Sequence, residues 1–245
     1  MLAFSSLLGN VEGQNIYRIW YDKPASYWEE ALPVGNGRIA AMVFGDPQLE
    51  QIQLNEETVS AGSPYQNYNE EAKTALPEMR RLIFEGKYEE AQNMAATKIL
   101  SQVGNEMPYQ TVGRLNIRYQ DHKKVNNYYR DLDISNAVAV TRYEVDGVEF
   151  TEETFASFTD QLVIRHIKAS KPGAINCELF FNTPMRDPKR SIYGKKGLRL
   201  EGITHGSRYF PGKVHYCADL DVKHKGGKVI TANDTLLSVQ GASEL

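Results

Sequence analysis

Apolar and polar residues alternate with period two along most of this chain, in short runs bounded by Gly, Pro, Asn and Asp. That is the pattern of strands buried on one face and separated by turns. The first run is Ile16 to Tyr21, followed by Arg38 to Phe44 and Gln51 to Leu54. The clearest hairpin is Tyr143 to Phe150. There Asp146-Gly147 supplies the two positive φ angles of a type I′ turn between two alternating arms. Ala137 to Tyr143, Phe150 to Phe155 and Gln161 to Lys168 keep the pattern on either side. Further strands fit Ala174 to Phe181, Leu198 to Ile203, Val214 to Val222, Lys228 to Thr231 and Leu236 to Gln240. Strands at this spacing, with no long helices between them, predict a mainly β fold, an antiparallel sandwich rather than a doubly wound sheet.

One stretch changes period. Thr74 to Phe84 reads as a helix with Thr74 as N-cap, Pro77 in its first turn and Gly86 as the C′ residue. A second helix runs from Lys87 to about Leu100, because Tyr88, Ala91, Met94, Ala95 and Ile99 share one face. The expected architecture is a sandwich with a two-helix insertion.

Composition narrows the class. The chain has 245 residues, 41% hydrophobic and 24% charged. By area scaling, folding buries about 29,000 Å², roughly 73% of the unfolded surface. That excludes a disordered chain, a collagen-like one and a disulfide-dense mini-protein. Lys and Arg number 28 against 31 Asp and Glu, a net charge of −3. No basic excess of the nucleic-acid-binding kind is present, and a neutral ligand fits the balance better than a polyanion. The apolar run Met1 to Leu8 is too short to span a bilayer. It reads as the h-region of a secretory signal lacking its basic start, with residues 1–13 as a truncated signal peptide; a docked terminus fits the same residues. Cys177 and Cys217 allow either one disulfide or two buried free thiols.

Three motifs carry candidate chemistry. Gly35-Asn36-Gly37-Arg38-Ile39-Ala40 has the letters of a dinucleotide fingerprint. The run after it looks like a strand, whereas phosphate binding needs a helix N-terminus there, so a glycine-permitted hairpin turn is expected. Asn55, Glu56, Glu57 and Thr58 follow a strand and precede Gly62-Ser63-Pro64. Adjacent carboxylates on an extended segment point to opposite faces, so the pair does not form one acid–base site by strand geometry alone. These four residues are candidates for substrate binding or a domain interface; a hydrogen-bonded loop is the competing reading. In His215 to Val222, alternation puts His215, Cys217, Asp219 and Asp221 on one face, and Tyr216, Ala218, Leu220 and Val222 on the other. A polar outer face over an apolar inner one accounts for this better than a zinc site, which needs more ligands. Trp20, Tyr21, Tyr27, Trp28 and Tyr65 are available to stack on a sugar or to fill a core. The Gly-x-Ser-x-Gly, His-Glu-x-x-His and P-loop motifs do not occur.

The order of motifs is more specific than any one of them. Trp28 to Gly45 (WEEALPVGNGRIAAMVFG) resembles the opening signature of glycoside hydrolase family 95, and Gln53 to Thr58 resembles that family's Leu-Asn-Glu-acid-Thr motif. Leu76 to Leu82 with Gly86 to Ala91 resembles its helical insertion. Tyr129 to Asp133, Ala137 to Gly147 and Phe155 to Ser157 resemble its next strands. The resemblance covers about Tyr17 to Gly241. It implies an N-terminal β-supersandwich, here residues 14–245 and incomplete at its C-terminus, from enzymes of α-L-fucosidase type, some of which prefer α-L-galactosides. Those enzymes act by inversion, one carboxylic acid assisting the leaving group while a base activates water. Their catalytic groups belong to a separate (α/α)₆ barrel, and no position here matches them. The resemblance therefore implies a chain inactive alone, with no catalytic residue, metal or cofactor of its own. The implied partners are that barrel and an oligosaccharide substrate, not nucleic acid or a membrane span, in a periplasmic or secreted setting. A stand-alone carbohydrate-binding or structural sandwich is the rival expectation. One departure stands out. Where relatives have Leu-Trp-Ser-Gly after the acid-Thr pair, this chain has Val59-Ser60-Ala61-Gly62.

Overall fold

The alternating runs become strands of three antiparallel sheets in the computed structural model of the chain, which describes residues 17–63, 66–101, 107–206 and 210–245. Residues 1–13, Ile16 and Tyr65, all named above, lie outside the described residues. The first strands are β1 (Arg18–Tyr21), β2 (Leu32–Gly35), β3 (Ile39–Val43), β4 (Leu49–Glu56) and β5 (Gly113–Tyr119). Next come β6 (Val125–Asp133), β7 (Val138–Val145), β8 (Val148–Ser157), β9 (Leu162–Ala169) and β10 (Ile175–Asn182). The last are β11 (Arg186–Tyr193), β12 (Gly197–Ile203), β13 (His215–Asp221), β14 (Lys228–Asn233) and β15 (Leu236–Ala242).

A seven-stranded sheet runs β14-β15-β10-β5-β4-β3-β2, a five-stranded sheet β1-β6-β7-β8-β9, and a three-stranded sheet β11-β12-β13. The five-stranded sheet packs on the β2–β3 side of the long sheet. The three-stranded sheet packs near β10 and β15 at its other side. Between them lies one core that includes Val34, Val43, Ile52, Ile117, Phe150, Ile167, Leu179, Leu200 and Leu237. This is the expected mainly β sandwich. Asp146 and Gly147 both take positive φ, 49° and 76°, and join β7 to β8 as the hairpin required. The last residues run along β9, where the Leu245 amide donates to the Ile167 carbonyl at 2.9 Å and the Ala169 amide to the Ser243 carbonyl at 3.2 Å.

Four strands form where alternation predicted none: β2, β5, β6 and β11. β2 is an edge strand, where Pro33 costs no ladder bond. β11 carries Pro188 and a register shift between Arg186 and Lys189, and its face is largely solvated. Part of β6, Tyr129 to Asp133, was implied by the family resemblance alone.

The insertion sits between β4 and β5, with two corrections. α1 spans Ala72–Phe84, with Glu71 at the N-cap position. Thr74 therefore lies inside the first turn, where its hydroxyl donates to the Glu71 carbonyl at 2.9 Å, and Pro77 lies in the helix body. The helix closes as foreseen. The Gly86 amide donates to Ile83 and the Lys87 amide to Leu82, satisfying the last carbonyls. α2 spans Tyr88–Met94 and passes into a π-helical turn, Ala95–Ile99. Of its expected buried face only Ala91 is fully buried, because the insertion packs chiefly on itself.

Candidate functional site

Asn55, Glu56, Glu57 and Thr58 lie at the end of β4, beside the β2–β3 hairpin. Asn36 shapes that hairpin: its side-chain oxygen accepts the Arg38 and Ile39 amides at 3.1 and 2.9 Å. A strand follows the glycines, so the segment is a turn and offers no helix N-terminus to a phosphate. The turn aims Arg38 at Glu56, with Nε donating to Oε1 at 3.2 Å. The other oxygen of Glu56 accepts the Thr58 amide at 2.8 Å and the Thr58 hydroxyl at 2.5 Å. Partial desolvation pushes the Glu56 carboxyl up, but the bonds from Thr58 and Arg38 outweigh it and hold the group below its ordinary range. A carboxylate so held stays ionised, so it is not the raised acid that assists a leaving group, and both of its oxygens are engaged by Arg38 and Thr58. Glu57 is exposed, and its backbone amide donates to the Arg38 carbonyl at 2.9 Å. Glu56, Glu57 and Thr58 thus form a clasp with Arg38 that fixes the hairpin against the strand end, and Asn55 pairs with Ala40 in the ladder beside it.

Beyond Thr58 the chain enters a knitted rim of loops. The Ala61 amide donates to Pro108 at 2.8 Å, Gln110 to Val59 at 2.9 Å and Lys213 to the Gly62 carbonyl at 3.0 Å. The Gln110 side-chain oxygen accepts the His205 amide at 2.9 Å. Gly62 sits at φ 80°, and a Cβ there would lie 2.5 Å from the Met107 sulfur. Glycine takes that φ without strain, whereas any other residue would be strained and would have to displace the Met107 side chain.

Period-two reasoning missed a second cluster of charge. Glu50 on β4, Glu152 on β8 and Arg165 on β9 all point inward and are buried between the sheets. Arg165 donates to Glu50 at 3.0 Å, to Glu152 and to the Thr154 hydroxyl at 2.6 Å. Tyr119 and Tyr143 donate to Glu152 Oε1 at 2.8 and 2.6 Å, and the Phe44 and Gly45 amides donate to Glu50 at 3.1 and 3.0 Å. Burial raises the Glu50 carboxyl to about 7 against the pull of Arg165. Both acids lie out of reach of a ligand, so the cluster is a tie between sheets rather than an acid–base pair. The visible signal was Glu152 and Thr154 on the same alternating face as Phe150.

β13 behaves as read. His215, Cys217, Asp219 and Asp221 face out, and Arg199 clamps Asp219 with bonds of 2.6 and 2.7 Å. Among the described residues no group of three or more His, Cys, Asp or Glu is placed to hold a metal ion. Both thiols are free. Cys177 is buried as expected, but Cys217 is exposed, because the alternation of β13 turns it outward. Trp20, Tyr27 and Trp28 are at least half exposed, whereas Tyr21 packs inward beneath the Arg130 guanidinium, 4.0 Å from its ring centre. Arg130 is fully buried and donates to the Lys23 and Glu30 carbonyls at 2.8 and 2.7 Å, which pins the loop carrying Tyr27 and Trp28. A cleft of ≈ 340 Å³ opens beside Arg118, Phe180, Arg190 and Asn233; Arg118 is committed to Glu178 at 3.2 Å and Arg190 to the Phe181 carbonyl at 2.9 Å. Among the described residues, no helix is long and apolar enough to cross a membrane.

Residues 19–245 match the family described as glycosyl hydrolase family 65, N-terminal domain. "Alpha-L-fucosidase 2" of Arabidopsis thaliana is 37% identical over 181 residues, 71% of this chain and 21% of that protein. "Probable alpha-fucosidase A" of Aspergillus niger is 26% identical over 162 residues, 62% of this chain and 20% of that protein. The corresponding protein of Aspergillus oryzae is 25% identical over 174 residues, 67% of this chain and 23% of that protein. The matched stretch spans about a fifth of the length of these relatives.

Proposed function

Because this chain belongs to the glycosyl hydrolase family 65 N-terminal domain family, we propose that it is the non-catalytic sandwich of a fucosidase-type glycosidase. The enzyme it serves cleaves α-L-fucosides, or α-L-galactosides, by inversion, and is similar to glycoside hydrolase family 95. The partner is an (α/α)₆ barrel in the same enzyme, and the substrate an oligosaccharide. The observation that carries the reading is the state of Glu56. It is the first of the two acids in the Leu-Asn-Glu-acid-Thr motif, yet Arg38 and Thr58 hold it ionised with both oxygens engaged. Support also comes from relatives about five times longer than the matched stretch, which leaves room for the chemistry elsewhere. In this reading the clasp at Asn55 to Thr58, with the rim around Gly62, faces the barrel and shapes its entrance.

The test is hydrolysis of 4-nitrophenyl α-L-fucopyranoside and of the α-L-galactoside. The purified chain is expected to release no 4-nitrophenol from either, and a full-length enzyme that carries this chain is expected to release it. Turnover by the chain alone would overturn the proposal.

A further inference from the structure

We propose that the outer face of the five-stranded sheet, at β1, β6 and β7, is a binding site for a neutral oligosaccharide, distinct from the clasp. Strand register puts its members on one face. Trp20 pairs with Asp131, Arg18 with Asp133 and Tyr129 with Arg142, and cross-strand partners in an antiparallel sheet share a side. Trp20 is 60% exposed and stacks on Tyr129, with ring centres 6.2 Å apart and planes inclined by 20°. Such a pair offers an apolar platform of the size of a pyranose ring, and apolar walls with a few fixed polar groups are the usual composition of small-ligand sites.

The polar groups beside the platform are incompletely matched. Asp131 is fully buried. Its Oδ2 accepts from Arg18 at 3.2 Å, and Arg142 lies over it at 3.6 Å, beyond hydrogen-bond length. The Tyr129 hydroxyl bonds to both Asp131 and Arg18, but among the described residues Oδ1 of Asp131 and the buried Nε of Arg18 make no bond of hydrogen-bond geometry. Unmatched buried polar atoms are rare because each carries a desolvation cost. A hydroxyl both donates and accepts. Asp131 is covered by the exposed Arg142 side chain and not by a second sheet, so a sugar hydroxyl that displaces this fork would donate to Asp131 and accept from the guanidinium. Arg18 and Arg142 are offset by Asp131 and Asp133, so the face favours an uncharged ligand. Arg130, between Tyr129 and Asp131, is locked into the interior, so the platform is held rigid from beneath.

The saccharide class leans on the glycosidase reading, but the site does not depend on which domain does the chemistry. Trp20 and Trp28 are the two tryptophans of the chain, so W28F leaves Trp20 as the sole indole reporter. The W28F chain would be titrated with methyl α-L-fucopyranoside, methyl α-L-galactopyranoside and cellotetraose. A saturable change in Trp20 emission with at least one of them is expected. R142A should weaken that binding by about tenfold, the loss of one charge-assisted hydrogen bond. No saturable response to any of the three, with a native circular dichroism spectrum, overturns the site. So does calorimetric binding that W20A leaves unchanged. Either result would leave the hydrolysis test above untouched.

Discussion

Replacing Arg165 with methionine probes the tie between the two large sheets. Methionine keeps most of the apolar volume and removes the charge. Arg165 is the cation that separates two buried carboxylates, Glu50 and Glu152, whose side chains are 0% and 2% exposed. Without it, two desolvated acids face each other. Removing one partner of a buried pair costs about 3–5 kcal/mol. In a domain of this size each kcal/mol lowers Tm by roughly 2–4 °C, so R165M should melt about 6–20 °C below the parent at pH 7.5. The pH dependence gives a second, signed readout. Burial raises Glu50 to about 7 in the folded chain, above its value of 4.5 when solvated. A raised acid contributes stability that is full below the unfolded value and is lost as pH rises through the folded one. For Glu50 in the parent this amounts to about 3 kcal/mol between pH 4.5 and 7. In R165M the same loss is larger, because no guanidinium supports the ionised forms. The gap in Tm between parent and R165M should therefore widen as pH rises from 5 to 8, measured by differential scanning calorimetry. A gap under 2 °C at pH 7.5, or one that widens toward acid, would refute this account of how the sheets are held.

Three further outcomes follow from the site and the core. G62A should cost about 1–3 kcal/mol in chemical denaturation, because φ 80° strains any Cβ and the added carbon meets the Met107 sulfur; an unchanged midpoint would show that the rim relaxes freely. E56Q should cost about 1 kcal/mol or less, since Arg38 is largely exposed, and this loss should shrink as pH falls, because Glu56 is a lowered acid whose contribution disappears on protonation. A thiol reagent should label one cysteine of the native chain, Cys217, and both after denaturation, since Cys177 is buried and burial raises its thiol; two rapid equivalents in the native chain would contradict the packing of β10.

Alternation determined the class of fold, because a strand with one buried face must repeat every second residue. Asp146-Gly147 determined its hairpin, because few other pairs tolerate two positive φ angles. The outward face of β13 and the hairpin after Gly35 were legible for the same local reasons. Ordered motifs carried the family resemblance, which no periodicity would have supplied. What the chain could not disclose depends on neighbours distant in sequence. β11 is a strand because β12 pairs with it, despite Pro188 and its polar face. Glu56 is tied to Arg38 because the β2–β3 turn brings the two together across 18 positions. Asp131 and Trp20 share a face because β1 pairs with a strand about 110 residues away. Glu50 and Arg165 meet across 115 positions, where only the stacking of two sheets can match an acid with its cation.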